Sequence, residues 1–260
     1  MAKMRATFIT MFKEPIRSWL DSSIIGRAHK KGILTSEVVS ILEEVSFDHH
    51  AVDDTPYGGG PGELMRIDII EPLIKKTLAH NPTLPRSQKR VLLMDPAGVP
   101  FTQEHARRLA GYGELIFIAG RYEGIDARIH HYVDESLSVG DFVLSGGDIA
   151  AMAMCDATVR MIEGVLGNSQ SAILESHYNG RLEASHYTRP KTYEGHEVPD
   201  VYCGGHHNEI NQALYRESIY RTLVVRPDLL EKYPPDEAER AVLASLKATH
   251  PMYPWMKTHG

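Results

Sequence analysis

Short apolar runs alternate along the chain with longer segments in which apolar residues recur at helical spacing. The apolar runs are partly β-branched and precede glycine, proline or polar turns, and they predict buried strands at residues 5–9, 90–94, 114–119 and 142–144. The segments with helical spacing predict helices over residues 36–45, 66–78, 102–110 and 148–162. Thr102 and Asp148 are the expected N-caps of the last two helices. Strands that alternate with helices are typical of a mostly parallel sheet, so the predicted fold class is α/β.

The character of the sequence changes after residue 167. Residues 168–185 are rich in serine, asparagine and glycine and show weak periodicity, which is typical of a linker. Beyond them, helical spacing interrupted by prolines predicts helices over residues 208–225 and 236–249. We therefore expect an α/β domain at residues 1–167, a flexible linker at 168–185 and a small C-terminal helical domain at 186–260.

The composition is that of an ordinary globular protein, with 42% hydrophobic and 24% charged residues among 260. The formal net charge of −6 gives no overall positive field, so any contact with nucleic acid must use local patches. Cys155 and Cys203 are too few and too far apart for a disulfide framework, which favours a reducing cytoplasm. The N-terminus lacks a signal-peptide core, and the most apolar internal segment, 149–162, carries Asp156 and Arg160, so neither secretion nor membrane insertion is indicated.

Three glycine-containing loops follow the predicted strands, at residues 95–98, 120–124 and 139–147. Ligands of open parallel sheets bind at the carboxyl ends of the strands, and glycine allows a ligand to approach the main chain closely. Each glycine alone could simply complete a turn, but three such loops together favour a ligand site. Neither a dinucleotide fingerprint nor a P-loop is present. Since Asp148 would repel an anion at the following helix, a neutral or cationic nucleoside fits better than a phosphate.

An ordered series of motifs resembles the bacterial tRNA (guanine-N1)-methyltransferase family. The motifs are GRYEGID at residues 120–126, VGDFVLSGGD at 139–148 and YTRP at 187–190, together with DDTPYGGG at 53–60 and GVLG at 164–167. The resemblance runs from about Phe8 to Tyr233, with the motifs in the family's order. So long an ordered series is far more specific than any single glycine loop.

The resemblance implies a SPOUT-class methyltransferase, whose mostly parallel sheet contains a deep trefoil knot and binds S-adenosylmethionine. It also implies a homodimer with active sites built from both subunits, a C-terminal domain that binds tRNA, and Mg²⁺ for full activity, although we assign no metal-binding residue. The implied reaction is methylation of N1 of the guanosine immediately 3′ of the anticodon. The resemblance places the methyl-donor pocket at Pro96, Gly120, Tyr122, Glu123, Gly124, Val139, Gly140, Asp141, Phe142, Val143, Leu144, Gly146 and Gly147.

Guanine N1 carries a proton at neutral pH, so methylation requires a base for that proton and a cation for the charge that spreads onto O6. The resemblance places the family's essential arginine at Arg160 and its general-base aspartate at Glu175. The glutamate has a reference pKa of about 4.3 and needs desolvation to act as a base. His177 is the alternative base because its starting pKa suits the task better. Arg160 could instead form a structural ion pair with Asp156, four residues earlier on the same helix.

Glu63 departs from the family, which usually has methionine in this glycine loop. An acid near the expected base pocket could alter how guanine is held. The sequence therefore leaves three functions open: a guanine-N1 tRNA methyltransferase, a SPOUT methyltransferase with another target base or position, and a noncatalytic RNA-binding homologue.

Two further clusters lie near the C-terminus. The first consists of Cys203, His206 and His207. These residue types suggest a zinc site, but a fourth ligand at regular spacing is missing. The second is a row of cations that could face RNA phosphates, and it comprises Arg216, Arg221 and Arg226. Glu217 and Asp228 dilute this row, so a solvated helix face is an equal alternative.

Overall fold

The protein consists of two compact units, a first unit of residues 1–169 and a second unit of residues 170–260. The structure, a computed structural model, describes residues 3–44, 52–167 and 175–246. The first unit holds a five-stranded sheet with its helices, whereas the second contains helices and a short hairpin. Within the described ranges, no helix combines the length and apolar character needed to cross a membrane.

The first unit is built on its five-stranded sheet. In chain order the elements are β1 (Met4–Thr10), α1 (Lys13–Leu20), α2 (Ser23–Lys30), β2 (Leu34–Ser40), α3 (Ile41–Glu44), β3 (Asp53–Asp54), β4 (Leu64–Met65), α4 (Ile67–Ala79), β5 (Lys89–Pro100), α5 (Gln103–Leu109), β6 (Glu114–Ala119), β7 (Glu135–Ser138) and α6 (Asp148–Val159). The strand order is β2-β1-β6-β5-β7, and all neighbouring strands are parallel. The predicted α/β class with a mostly parallel sheet is confirmed.

Both faces of this sheet are covered by helices. In β6, Leu115 and Phe117 pack into a core that includes residues of α1, α2, α5 and α6. Ile116 and Ile118 pack into a second core that includes residues of α4. Successive side chains of a strand point to opposite faces, so a strand buried on both sides is apolar at every position. This explains why residues 115–119 of β6 form an unbroken apolar run in the sequence.

The helix predicted over residues 36–45 is wrong for most of its length. Leu34–Ser40 form β2, which pairs with β1 at the edge of the sheet, and α3 begins only at Ile41. Thr35, Val38 and Val39 are β-branched and favour extended backbone. Because β2 is an edge strand and only partly buried, its sequence lacks the unbroken apolar run of a central strand.

The strand predicted at residues 142–144 is also wrong. Along the chain, β7 is the last strand of the five-stranded sheet, and residues 142–144 belong to the loop between β7 and α6, where Val143 is 83% exposed. The first glycine loop interrupts β5 instead of following it, because the pairing with β7 stops at Met94 and resumes at Val99. Helix α6 has Gly147 as its N-cap, one residue before the predicted cap, and it ends at Val159.

The second unit is organised around one long helix. Its elements are β8 (Thr192–Tyr193), β9 (His196–Glu197), α7 (His207–Val225), α8 (Asp228–Lys232) and α9 (Glu237–Leu246). Helix α7 corresponds to the helix predicted over 208–225, and α9 to that predicted over 236–249 as far as the description extends. Of the predicted linker, residues 168–174 lie outside the described residues. In the remainder, Leu182 donates its backbone N–H to the Thr222 hydroxyl of α7 at 2.9 Å.

Candidate active site

A cavity of about 380 Å³ lies at the carboxyl ends of β5, β6 and β7. These ends meet at one edge of the sheet because the strands are parallel, and the loops that follow them leave backbone groups exposed. All three predicted glycine loops contribute to the lining of the cavity. Its volume falls within the range of small-molecule sites, about 300–1,000 Å³. The three loops, which are distant in sequence, thus enclose one site.

Most of the residues predicted to bind the methyl donor line this cavity. Those that line it are Pro96, Gly120, Tyr122, Glu123, Gly124, Val139, Phe142, Val143, Leu144, Gly146 and Gly147. The other two, Gly140 and Asp141, lie in the third loop without being part of the lining. Further lining residues that the sequence analysis did not select include Ile129 and Leu137, which are buried apolar side chains with no local signal of a ligand site.

Gly147 fills the narrow gap between the sheet and α6. Its backbone N–H donates to the carbonyl of Gly120 at 2.9 Å. A Cβ atom at this position would lie 2.9 Å from both Ala119 Cα and Met94 Cβ, closer than real Cβ contacts allow. The chain that leaves β7 therefore returns between the ends of β5 and β6, and only glycine permits this approach.

Gly140 turns the third loop toward the cavity. Its φ of +152° is strained for a residue with a side chain, and an added Cβ would lie 2.7 Å from the Phe142 ring. The Ser138 hydroxyl donates to the carbonyl of Gly140 at 2.9 Å and holds the bend. Since Phe142 lines the cavity, the conformation at Gly140 decides where that ring lies.

Arg121 joins the second loop to the start of α6. Its guanidinium forms an ion pair with Asp148, whose carboxylate also accepts a hydrogen bond from the Thr10 hydroxyl. Asp148 is buried, and its charge is balanced within the protein. Asp148 was predicted from the sequence to lie at the start of this helix, whereas Arg121 was not predicted as a site residue, and its position inside the second glycine loop is its only signal in the sequence.

A fourth segment, residues 62–66, lies against the second loop. Glu123 donates its backbone N–H to the carbonyl of Glu63 at 3.0 Å, and Met65 donates to the carbonyl of Gly124 at 2.9 Å. The segment contains β4, which pairs with β3 in an antiparallel arrangement. The DDTPYGGG motif, which begins with β3, is thereby held beside the cavity.

Asp53, Glu63 and Tyr122 form an acidic group on this side of the cavity. The pKa of the Glu63 carboxyl is raised, because in its protonated form it donates a hydrogen bond to Asp53 and in its charged form it is repelled by the Asp53 carboxylate. Partial burial, followed by the charge of Asp53, raises the pKa of the Tyr122 phenol. Because Tyr122 lines the cavity and the charge of Glu63 acts on it, Glu63 introduces an ionisable group close to the cavity.

The two predicted catalytic residues lie in different units. Arg160 is the C-cap of α6, and its backbone N–H donates to the carbonyl of Asp156 at 3.1 Å. Burial raises the pKa of Asp156, and the charge of Arg160 opposes this effect. Glu175 is half-buried in the second unit. Partial desolvation, reinforced by the charge of Arg226 and opposed by that of Asp228, lowers the pKa of His177.

The two weaker clusters lie in the second unit. The first is the cluster considered for zinc. Within residues 3–44, 52–167 and 175–246, the structure contains no group of three or more His, Cys, Asp or Glu residues arranged to hold a metal ion. The three arginines of the predicted row already contact protein groups: Arg226 pairs with Asp228 at 2.7 Å, Arg221 donates to the Glu183 carbonyl at 3.4 Å, and Arg216 donates to the Ser245 hydroxyl at 3.5 Å.

Residues 4–232 match the family described as tRNA (Guanine-1)-methyltransferase TrmD. The tRNA (guanine-N(1)-)-methyltransferase of Streptococcus uberis is 45% identical over 244 residues, which make up 94% of this chain and 99% of that relative. Relatives of the same name from Thermus thermophilus and Dehalococcoides mccartyi are 40% and 41% identical, each over 94% of this chain and 98% of its own length. The resemblance seen in the motifs is confirmed, and the chain belongs to the tRNA (guanine-1)-methyltransferase family.

Proposed function

We propose that this protein transfers a methyl group from S-adenosylmethionine to N1 of the guanosine immediately 3′ of the anticodon in tRNA. The observation that carries the proposal is the cavity enclosed by three glycine loops in a member of a tRNA (guanine-1)-methyltransferase family. Loops of this kind at the carboxyl ends of parallel strands bind a nucleoside through backbone groups. The donor site and the family description therefore support the same reaction.

The residues around the cavity fit S-adenosylmethionine. Apolar side chains such as Leu137 and Leu144 offer a surface for the adenine ring. The Glu123 carboxylate at the cavity suits a ligand that carries positive charge. The bound donor supplies an electrophilic methyl group, and we assign its binding to the loop residues predicted from the sequence, Gly140 and Asp141 included.

In the proposed mechanism, Glu175 removes the N1 proton of guanine and Arg160 holds the charge that develops on O6. A general base typically contributes about 10²–10⁴-fold to the rate, and a positioned cation stabilises charge most effectively where water is excluded. His177 remains the alternative base, since an imidazole has an unperturbed pKa that suits proton transfer near neutral pH. The order of the family's motifs is what supports Glu175 over His177.

We further propose a homodimer in which Arg160 and Glu175 of each active site come from different subunits. Three apolar side chains near the cavity support a protein contact there because they are exposed: Phe142 at 55%, Val143 at 83% and Ile149 at 56%. Exposed apolar surface of this kind is typical of an interaction site.

The finer features of the fold are also proposals. The return of the chain at Gly147, between the ends of β5 and β6, is what a trefoil knot at this point requires. We assign residues 168–185 to a linker and residues 186–260 to a helical domain that binds tRNA. The cysteines Cys155 and Cys203 are free thiols, which suits a reducing cytoplasm.

The decisive experiment is the incubation of the protein with labelled S-adenosylmethionine and unmodified tRNA, with and without Mg²⁺, followed by mapping of the methylated nucleoside. We expect 1-methylguanosine immediately 3′ of the anticodon, and more of it when Mg²⁺ is present. Label at another base or position would identify a methyltransferase with a changed target, in keeping with Glu63 beside the cavity. Binding of tRNA without any label would indicate a noncatalytic homologue.

Hybrid dimers test whether the sites are shared between subunits. Arg160→Ala and Glu175→Gln each disable every site of a homodimer, whereas a hybrid of the two variants leaves one site with both residues intact. Mixing the variants should therefore restore part of the activity. If activity does not return although mass spectrometry shows that subunits have exchanged, each site lies within one chain.

A further inference from the structure

The second unit contains a cavity of its own, with a volume of about 490 Å³. Three parts of the chain line it: residues 185–191, which include the YTRP motif, residues 198–203, and the first half of α7. None of the residues assigned to catalysis or to methyl-donor binding belongs to this lining. The cavity therefore needs a separate explanation.

An aromatic pair forms part of the cavity lining. The rings of Tyr187 and Tyr202 are 5.4 Å apart between centroids and inclined by 32°. Glu217, which is fully buried, accepts hydrogen bonds from the Tyr202 hydroxyl and from the Ser185 backbone N–H, both at 2.9 Å. The buried carboxylate thus fixes two sides of the cavity relative to α7. A rigid aromatic surface of this kind suits a planar ring.

The Tyr187 hydroxyl is buried, yet it has no hydrogen-bond partner in the part of the chain that the structure describes. Buried polar groups of native proteins are normally hydrogen-bonded, so such an atom calls for an explanation. A phenolic hydroxyl both donates and accepts hydrogen bonds, and it can therefore pair with the polar edge of a nucleobase.

Exposed cations lie around the same cavity. Arg189 is exposed and forms no ion pair with any residue in the described ranges. Lys191 pairs with Asp200 at 2.8 Å, but both side chains are largely exposed, so water and salt screen this pair and a phosphate can replace it. Arg189 and Lys191 are thus two exposed cations beside the cavity, and the carboxylates of Asp200 and Glu197 lie close enough to Lys191 to raise its pKa.

We propose that this cavity binds one unpaired nucleotide of the tRNA substrate, other than the guanosine that is methylated. The base stacks on the tyrosine pair and meets the Tyr187 hydroxyl, while Arg189 and Lys191 contact the flanking phosphates. A free phosphate would leave the aromatic surface unused, and an apolar peptide would leave the cations unused. This inference rests on the proposed function, because it takes tRNA as the substrate.

Salt-dependent binding of tRNA tests the phosphate contacts. Arg189→Gln and Lys191→Gln should each weaken binding several-fold and lower the slope of log Kd against log salt by about one. Arg240→Gln is the matched control, since Arg240 is an exposed arginine of the same unit that does not line the cavity. If all three variants bind tRNA alike, the phosphate contacts do not exist and the proposal fails.

Variants of Tyr187 test the base contact. Tyr187→Leu removes the ring and should raise the KM for tRNA about tenfold, whereas Tyr187→Phe keeps the ring and should raise it only about threefold. In both variants kcat and the KM for S-adenosylmethionine should stay at the wild-type value, a separation that general damage to the fold would not produce. Wild-type KM values in both variants would overturn the proposal.

Cys203 provides a probe that needs no mutation. It lines the cavity and is exposed, whereas Cys155, the other cysteine, is buried. Saturating tRNA should slow the alkylation of Cys203 at least tenfold, while guanosine monophosphate at submillimolar concentration should not. Protection by the mononucleotide would identify a free nucleotide as the ligand and overturn the proposal, as would unchanged alkylation in the tRNA complex. A wild-type protein that neither binds nor methylates tRNA would instead refute the proposed function itself.

Discussion

The two ends of the five-stranded sheet have opposite character. At the amino ends of the strands, oppositely charged side chains lie close together, and two of them, Lys89 and Glu114, are buried. Glu114 is fully buried beside Lys89, with 3.6 Å between the carboxylate and Lys89 Nζ, and beside Arg5 at 3.5 Å. Lys89 also donates to the carbonyls of Leu78 and Asn81 at 2.6 and 2.7 Å. At the carboxyl ends, glycines replace side chains and a cavity of about 380 Å³ is left.

This difference separates stability from binding within one sheet. Breaking a buried ion pair is costly because the remaining charge loses its partner, so the amino ends are sensitive to substitution in the unfolding equilibrium. The loops at the carboxyl ends bury less and hold their conformations through backbone contacts such as that between Gly147 and Gly120. We therefore expect substitutions at the two ends to change different measurements.

The largest effect is expected at neither end of the sheet, because the proposed base lies in the second unit. Glu175→Gln keeps the shape of the side chain but cannot take the guanine proton, so kcat should fall about 10²–10⁴-fold while the affinity for S-adenosylmethionine stays level. Single-turnover kinetics and calorimetry measure the two quantities. Glu175→Asp should retain substantial activity and His177→Ala should be near wild type. The reverse result would make His177 the base.

The next largest effect belongs to the amino ends. Lys89→Met leaves Glu114 without its lysine partner and should lower the free energy of unfolding by about 3–5 kcal/mol in a urea titration. Lys3→Met is the matched control, because the Lys3–Glu163 pair is exposed and contributes at most about 1 kcal/mol. The folded Lys89 variant should bind S-adenosylmethionine like the wild type. A large loss of affinity would show that the two ends are not independent.

At the carboxyl ends, a substitution should change the free energy of unfolding less than Lys89→Met does, and it should change the affinity for S-adenosylmethionine more. Gly140→Val forces a branched side chain into a positive φ and against Phe142, at a strain of about 1–3 kcal/mol. Affinity for S-adenosylmethionine, measured by calorimetry, should fall about tenfold or more. Gly167→Val is the control, since an added Cβ there meets no atom of the described residues within 4 Å. Unchanged affinity in the folded Gly140 variant would place the donor elsewhere.

The smallest effect is a pH dependence at the amino ends. Burial raises the pKa of Glu114, against the opposing charges of Lys89 and Arg5. Its contribution to stability is therefore fully present below the unfolded pKa of about 4.3 and is lost as pH rises through the folded pKa. The stability of the wild type relative to Glu114→Gln should fall as pH increases from about 4.

Asp126 supplies the opposite case, because a hydrogen bond from Arg128 lowers the pKa of its carboxyl. The wild type should therefore be more stable than Asp126→Asn above the unfolded pKa of about 3.8. This extra stability should be lost as pH falls through the folded pKa. If the stability difference between wild type and Glu114→Gln changes with pH in the same direction as that between wild type and Asp126→Asn, Glu114 is not desolvated as described.

The sequence alone determined the central strands, several helices and the family. Strands β5 and β6 were predictable because burial on both faces favours an unbroken apolar run, and β1 because Ala6, Phe8 and Ile9 are apolar and buried. Helix α5 was predictable because Thr102 forms its cap together with His105, a local contact. The loops at residues 120–124 and 139–147 were found because glycine is required where the backbone approaches closely, and this requirement is visible in a single residue type.

Only the tertiary structure decided the features that depend on neighbours distant in sequence. Residues 34–40 form a strand because β1 offers an edge to pair with, and no period within the segment records that. Arg121 pairs with Asp148, and Glu63 lies beside Glu123, because separate loops converge at one end of the sheet. The cavity of the second unit likewise joins the YTRP motif to the start of α7. Periodicity reports only which face of an element is buried, whereas a site is formed by chain segments whose meeting is fixed by the packing of the whole unit.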